Sequence, residues 1–343
     1  MAMNRERGGA ADGAGEVAGG AEPWEDVVCP SCQGPLRLEG QGLTCKVCRR
    51  RYPFYQGVPD LVPDRKQAEH EFYAREYARA GASRTDQKIE LKALETFWKS
   101  PGFPERESIL AALGDLTNKR VLVVGGGKSE MLLYLLTLGA ELTVTDLAVS
   151  GPQSLAVRPR DEKLAGQVRF AGVDANQTPF RDESFDLVLG VGMVHHLSDL
   201  DPFFQEVFRV LKKPGRAVFY DNAYSPVWSG LKRTILRPFQ VLSHWRWGVS
   251  PEDLRATREG GFHEGFLFSL PLRTPFSSSG FTRMHFLRYL WLRGLYTMVG
   301  RFSFCQQLAR KTSPFFSELD RRLERFRWYR RNTLELIWWL NKS

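Results

Sequence analysis

Between Arg120 and Asp221 the sequence alternates short apolar runs with longer helical patterns, and this alternation constrains the fold more than any other feature. Arg120 to Val124 reads as a buried strand. Gly125-Gly126-Gly127-Lys128-Ser129-Glu130 follows as a turn, and Met131 to Leu138 as an apolar helix. Glu141 to Thr145 forms a second strand ending in Asp146, and Val168 to Val173 a third ending in Asp174-Ala175. Ser184 to Leu189 makes a fourth strand that leads into Gly192-Met193-Val194-His195-His196-Leu197. After a helix from Asp201 to Leu211, Lys213-Pro214-Gly215 turns the chain into a fifth strand, Arg216 to Tyr220, ending at Asp221. Strands and helices of this length in alternation predict a doubly wound α/β sheet, in which ligands bind at the carboxyl ends of the strands. Glycines at the first such end let a ligand approach the backbone closely. An acid about twenty residues later is placed to accept hydrogen bonds from ribose hydroxyls.

Upstream, four of the five cysteines form Cys29-Pro30-Ser31-Cys32 and, twelve residues on, Cys45-Lys46-Val47-Cys48. Each pair supplies two thiolates from one tight knuckle, and Leu36, Leu38 and Leu43 alternate around a Gly turn as the intervening hairpin requires. A structural zinc bound by Cys29, Cys32, Cys45 and Cys48 is the expectation, because four thiolates leave no open coordination position. The stretch from Val28 to Val62, with Tyr52-Pro53-Phe54 and Gly57-Val58-Pro59-Asp60-Leu61, resembles the zinc-ribbon family that activates tRNA, rRNA and release-factor methyltransferases. That resemblance implies a methyltransferase partner, here in the same chain.

The region from Lys119 to Pro226 resembles the class I methyltransferase family that uses S-adenosylmethionine, especially its small-molecule and quinone-biosynthesis branch. The matching phrases are Ser184-Phe185-Asp186, His195-His196-Leu197 and Arg209 to Gly215. The resemblance implies a Rossmann-like seven-stranded sheet. Its cofactor residues would be Gly125 and Gly127 at the methionine part, Asp146 at the ribose, Asp174 and Ala175 at the adenine, and Gly190 at the end of the fourth strand. Two positions depart from the family: Val123 stands where a carboxylate is usual, and Ser129 where a third glycine is usual. His195, His196 and Asp221 fall at the carboxyl edge. They are the expected acceptor-facing catalytic groups, since a hydroxyl nucleophile needs a base and His serves near neutral pH.

Charge is uneven along the chain. The net +9 combines a near-neutral body with a third from Ser225 to Ser343 that holds 20 Lys and Arg against 8 Asp and Glu, and seven of the nine Trp. Such a third suits an anionic partner, either a lipid surface or a nucleic acid, and equally a solvated helical cap over an apolar core. No apolar run is long enough to span a bilayer, and the first residues lack the apolar segment of a signal peptide. The expected plan is a disordered tail over 1–24, a zinc ribbon over 25–64, and N-terminal helices forming a lid over 65–118, with Tyr73 or Tyr77 closing on the cofactor. The methyltransferase domain follows over 119–343, with helical insertions near 225–279 and 294–331 and a final antiparallel hairpin from 281–292 and 334–340. The expected protein is cytoplasmic, at most peripheral to the inner face of the membrane. It transfers methyl groups to an oxygen or carbon of a hydrophobic, lipid-associated small molecule. An RNA or translation-factor methyltransferase and a non-catalytic scaffold are the alternatives.

Overall fold

The computed structural model describes residues 24–79, 87–99, 104–161, 168–197, 199–222, 279–281, 283–289 and 335–343, with a few isolated positions between them. Four short strands form the ribbon: β1 (Leu36–Leu38), β2 (Gly42–Cys45), β3 (Arg51–Tyr55) and β4 (Val58–Pro59), all antiparallel in the order β1-β2-β3-β4. Helices α1 (Gln67–Arg79), α2 (Leu91–Trp98) and α3 (Pro104–Leu113) lead to the main sheet. Its strands are β5 (Arg120–Val124), β6 (Glu141–Asp146), β7 (Val168–Gly172), β8 (Phe185–Val191), β9 (Leu211–Asn222), β10 (Arg283–Tyr289) and β11 (Glu335–Lys342), with α4 (Ser150–Ala156) and α5 (Leu200–Val210) between them. The spatial order is β7-β6-β5-β8-β9-β11-β10. The first five pair in parallel, and β11 enters antiparallel between β9 and β10. This is the expected seven-stranded Rossmann-like sheet with its antiparallel edge hairpin.

Strand residues alternate between two cores, as a two-sided sheet requires. Leu122, Val124, Val188, Phe219 and Trp338 face one apolar cluster with Phe203, Phe204 and Val207 of α5. Val121, Val123, Leu189, Val218 and Ile337 face the other, with Leu94, Leu113 and the Leu132–Leu136 run. That run departs from expectation. Residues 130–138 wind as a tight helix with bonds such as Gly139 N–H to the Leu136 carbonyl (3.1 Å), and five successive side chains, Leu132 to Leu136, are buried. The fifth strand also begins earlier than expected. Leu211 pairs with Phe185, and the register then shifts so that Arg216 pairs with Leu187, which absorbs the Lys-Pro-Gly turn as a bulge.

The ribbon is packed on the sheet rather than tethered to it. Val27, Cys29, Leu43, Tyr52 and Leu61 belong to the same apolar cluster as Phe180, Phe185 and Val173. Main-chain bonds stitch the seam: Val28 N–H to the Pro179 carbonyl (2.7 Å), Leu61 N–H to the Gly172 carbonyl (2.9 Å) and Arg181 N–H to the Asp26 carbonyl (3.1 Å). The Asp26 carboxylate accepts two bonds from Arg169 at 2.6 Å each and is also paired with Arg120. These cations hold its carboxyl below the usual range although burial opposes them. Trp24, grouped above with the tail, is half-buried beside Phe54, with ring centroids 6.4 Å apart. Residues 1–23 and most of the 225–279 and 294–331 insertions lie outside the described residues.

Candidate active site

Because β5 to β9 run parallel, the turns that follow them converge on one sheet edge, and the expected residues gather there. Gly125 and Gly127 adopt φ of 64° and 50°, a left-handed backbone that favours glycine. Space alone would also exclude a side chain at both. A Cβ on Gly125 would lie 2.6 Å from Met193 Cβ, and one on Gly127 would lie 2.7 Å from the Tyr77 hydroxyl. Gly190 is filled in the same way, by the Phe219 ring and the Met193 sulfur.

Asp146, at the tip of β6, is nearly buried. One carboxylate oxygen accepts the Gly127 N–H (2.9 Å) and the Tyr77 hydroxyl (3.0 Å); the other accepts the Ala148 N–H (3.0 Å). Burial raises its carboxyl above the ordinary range despite these donors. Tyr77 comes from α1 and places a hydroxyl donor on this carboxylate. Asp174, after β7, is buried and accepts the Asn176 N–H (3.0 Å), while Arg65 reaches its other oxygen at 3.4 Å and also bonds Gln177. Ala175 is half-buried beside it.

Across the edge, Asp221 on β9 is fully buried and grips His195 twice. Its carboxylate accepts the His195 backbone N–H at 3.1 Å and meets ring Nδ1 at 2.5 Å. Held in this way, Nδ1 carries the proton that faces the carboxylate, and Nε2 becomes the basic nitrogen. The His196 ring lies 3.9 Å from that of His195, and Tyr73 of α1 meets His196 edge-on at 5.8 Å. Burial pushes the Tyr73 phenol up to about 12. All three acceptor-facing residues expected from the sequence therefore meet in space, together with an α1 tyrosine.

In the ribbon, the sulfurs of Cys29, Cys32, Cys45 and Cys48 lie within 4.8 Å of one another. Tetrahedral zinc with bonds near 2.3 Å needs sulfurs roughly 3.8 Å apart, and the Cys32–Cys45 and Cys29–Cys48 pairs sit at 3.4 and 3.6 Å. Against the desolvation that raises it, the N–H groups of Cys48 and Val47 bring the Cys45 thiol down to about 6. A thiolate donor set of this span fits a structural zinc.

Comparison with known proteins agrees with this geometry. Residues 122–219 match the family described as Methyltransferase domain, and residues 27–57 match Trm112p-like protein. The chain carries a methyltransferase domain. Among its relatives, the "Probable phthiotriol/phenolphthiotriol dimycocerosates methyltransferase 2" of Mycobacterium ulcerans is 30% identical over 48% of this chain and 58% of that protein. The Fatty-acid O-methyltransferase of Mycolicibacterium smegmatis is 37% identical over 33% of this chain and 40% of its own length. The Ubiquinone/menaquinone biosynthesis C-methyltransferase UbiE of Vibrio vulnificus is 28% identical over 35% and 47%. The chain thus spans about half the length of the curated relatives it matches.

The methyltransferase domain keeps the two departures noted in the sequence. Val123 is fully buried in the core, and its carbonyl accepts the Thr145 hydroxyl at 3.0 Å. Ser129 keeps an ordinary φ of −78° where the turn runs into the tight helix. Sequence reasoning missed three residues that the fold brings to this edge: Met193, Arg65 and His70. The spacing of His70, Tyr73 and Tyr77 along one face of α1 was the available signal for His70.

Proposed function

We infer that the protein is an S-adenosylmethionine-dependent methyltransferase whose acceptor is a hydroxyl or carbon acid of a hydrophobic, lipid-like small molecule. The His195–Asp221 pair, set on the same sheet edge as the glycine turn and Asp146, carries this reading. Gly125 and Gly127 supply a close backbone approach for the methionine part, and Asp146 a carboxylate already accepting a hydroxyl donor, as a ribose would require. Asp174 and Ala175 flank the adenine end, and Gly190 makes room for the Phe219 ring and the Met193 sulfur that pack beneath the site. Cys29, Cys32, Cys45 and Cys48 hold a structural zinc that rigidifies the ribbon over 25–64.

When bound, the cofactor would supply a methyl group activated by a positively charged sulfur, with a neutral thioether as the leaving group. His195 Nε2 takes the acceptor's proton, and the buried Asp221 carboxylate stabilises the imidazolium that results. His196 and Tyr73 wall the acceptor side and exclude water. Holding the acceptor in line with the methyl supplies much of the acceleration.

The hydrophobic acceptor is supported by relatives named for lipids, fatty acids and quinones. Among the described residues no helix is long and apolar enough to cross a membrane. The basic, Trp-rich C-terminal third suits contact with an anionic lipid surface as the route to a lipid-phase acceptor. The test is calorimetry with S-adenosylhomocysteine, followed by transfer from methyl-labelled cofactor to a cell extract partitioned into organic, RNA and protein fractions. Label in the organic fraction is the expected result. Label in RNA or protein overturns the acceptor class, and no cofactor binding overturns the enzyme.

A further inference from the structure

One half-buried side chain at this edge has work left undone. His70, on α1, has both ring nitrogens buried and without a hydrogen-bond partner. A neutral imidazole carries one N–H donor and one lone-pair acceptor, and buried polar groups of native folds are satisfied as a rule. An orphan of both kinds in one ring marks a place where a ligand supplies the partners.

Its neighbours say which end of the pocket it serves. His70, Tyr73 and Tyr77 follow one another on a single face of α1. Tyr77 reaches Asp146 and Tyr73 reaches His196, so α1 lies across the strand ends. Asp60 Oδ2 stands 3.9 Å from His70 Nε2, beyond hydrogen-bond reach. Asp60 belongs to the ribbon but sits on the edge of the main sheet. It bridges to Gly172 at the tip of β7, and a Cβ on Gly172 would come 3.3 Å from its Oδ1. Its backbone is pinned by a bond from its N–H to the Pro53 carbonyl (2.9 Å), and its Oδ1 accepts the Val62 N–H at 3.1 Å. The ribbon thus delivers a carboxylate, and α1 an imidazole, beside the ribose acid and on the β7 side of it, away from His195.

We propose that His70 is a cofactor-binding residue for the nucleoside end, oriented by Asp60, and that through this pair the ribbon helps to form the cofactor pocket. The ligand chemistry is that of adenosine, whose ribose hydroxyls and adenine edge offer both donors and acceptors to an imidazole. The inference rests on the methyltransferase reading above.

The test is calorimetric titration of the full, zinc-loaded chain with S-adenosylhomocysteine and separately with adenosine, together with the thermal midpoint of the ligand-free protein. His70→Phe is expected to weaken both ligands about ten-fold, the scale of one or two lost hydrogen bonds, and to leave the ligand-free midpoint unchanged or higher, since no bond is lost there. His70→Asn, which keeps a donor and an acceptor, is expected to retain affinity within about three-fold, and Asp60→Asn to fall between the two. Affinity within two-fold of wild type for His70→Phe overturns the proposal, as does a loss accompanied by an equal fall in the ligand-free midpoint, which would make His70 a packing residue. A loss confined to S-adenosylhomocysteine, with adenosine unaffected, overturns its placement at the nucleoside end. If His70→Phe does not fold, His70→Asn and His70→Gln replace it, and equal binding by a His70→Ala variant overturns the proposal. Failure of the wild type to bind either ligand sinks the methyltransferase reading itself, an outcome distinct from all of these.

Discussion

The ribbon and the main sheet hold their backbones in place by different physics. The sheet buries whole rows of aliphatic and aromatic side chains on both faces. The ribbon is too small to do so. Its outer side carries exposed Cys32 and Cys48, while Cys29 and Cys45 are buried with Tyr52 and Leu43 against the body of the protein. Metal is thus needed on one side and borrowed apolar surface on the other. A small module can be well ordered without a core of its own if a larger neighbour lends one, and it then becomes part of that neighbour's architecture.

The largest effect expected from this contrast is on metal removal. Structural zinc contributes about 10–16 kcal/mol in isolated zinc-binding peptides. Chelation, or Cys45→Ser, is therefore expected to unfold residues 29–55 while β5 to β9 stay protected. Amide hydrogen exchange with parallel zinc analysis checks this. A ribbon that stays protected without zinc would mean that docking alone suffices. Next comes the seam itself. Phe180 is fully buried, bridged to Val27 and packed edge-on against Phe185 at 5.0 Å. Phe180→Ala is expected to destabilise by about 3–5 kcal/mol, measured by denaturant unfolding, and to loosen ribbon and sheet together if they share a core.

At the strand ends the larger expected change is in activity. His195→Ala is expected to lower methyl transfer by about 10²–10⁴-fold, against about 1–3 kcal/mol of stability for leaving the buried Asp221 carboxylate without its ring partner. Asp221→Asn should follow it, because an amide cannot hold the same ring tautomer. A variant that keeps full activity would remove His195 as the base. On the ribbon side, Asp26→Asn is expected to cost roughly 2–3 kcal/mol, below the range for fully buried pairs because the carboxyl is 18% exposed. The folded-state acidity of Asp26 is stronger than its ordinary value of 3.8. Its contribution is therefore fully present above that value and is lost as pH falls through the lower, folded value. The gap between wild type and variant in urea midpoints should close below about pH 4.

How much of this was legible beforehand follows the same division. The cysteine spacing and the alternation of apolar runs depend on local periodicity, so the ribbon, the doubly wound sheet and the gathering of Gly125, Asp146, Asp174, His195 and Asp221 at one edge could be read directly, and the family resemblance supplied the count of seven strands. Features that depend on juxtaposition could not. Asp60 and His70 acquire meaning only because Gly172 pairs with the ribbon and α1 crosses the strand tips. The tight winding of 130–138, with its five successive buried side chains, is not revealed by a helical pattern. Leu211 joins β9 through a bulge that a Lys-Pro-Gly signal hides. The roles given to Val123 and Ser129 by resemblance also changed in weight: Val123 fits the core as an aliphatic residue, and the polar anchors lie on the Asp146 side.

Tyr77 offers the smallest but most direct test of that balance. In the ligand-free arrangement one oxygen of Asp146 already accepts two donors, the Gly127 N–H and the Tyr77 hydroxyl, and the other accepts Ala148. A ribose offering two hydroxyls to this carboxylate finds one lone pair open, so it must displace the phenol. Lys128 opposes that displacement by bonding the Tyr77 carbonyl at 2.8 Å, which tethers the end of α1 to the glycine turn. Burial and the Asp146 charge keep the phenol protonated well beyond the usual range, so it remains a donor at any working pH. Tyr77→Phe is accordingly expected to tighten S-adenosylhomocysteine binding by about three-fold, the scale of one modest neutral hydrogen bond removed from the competing state. Weaker binding in a calorimetric titration would instead make Tyr77 a direct ligand of the cofactor, and α1 a wall of the site rather than a competitor for it.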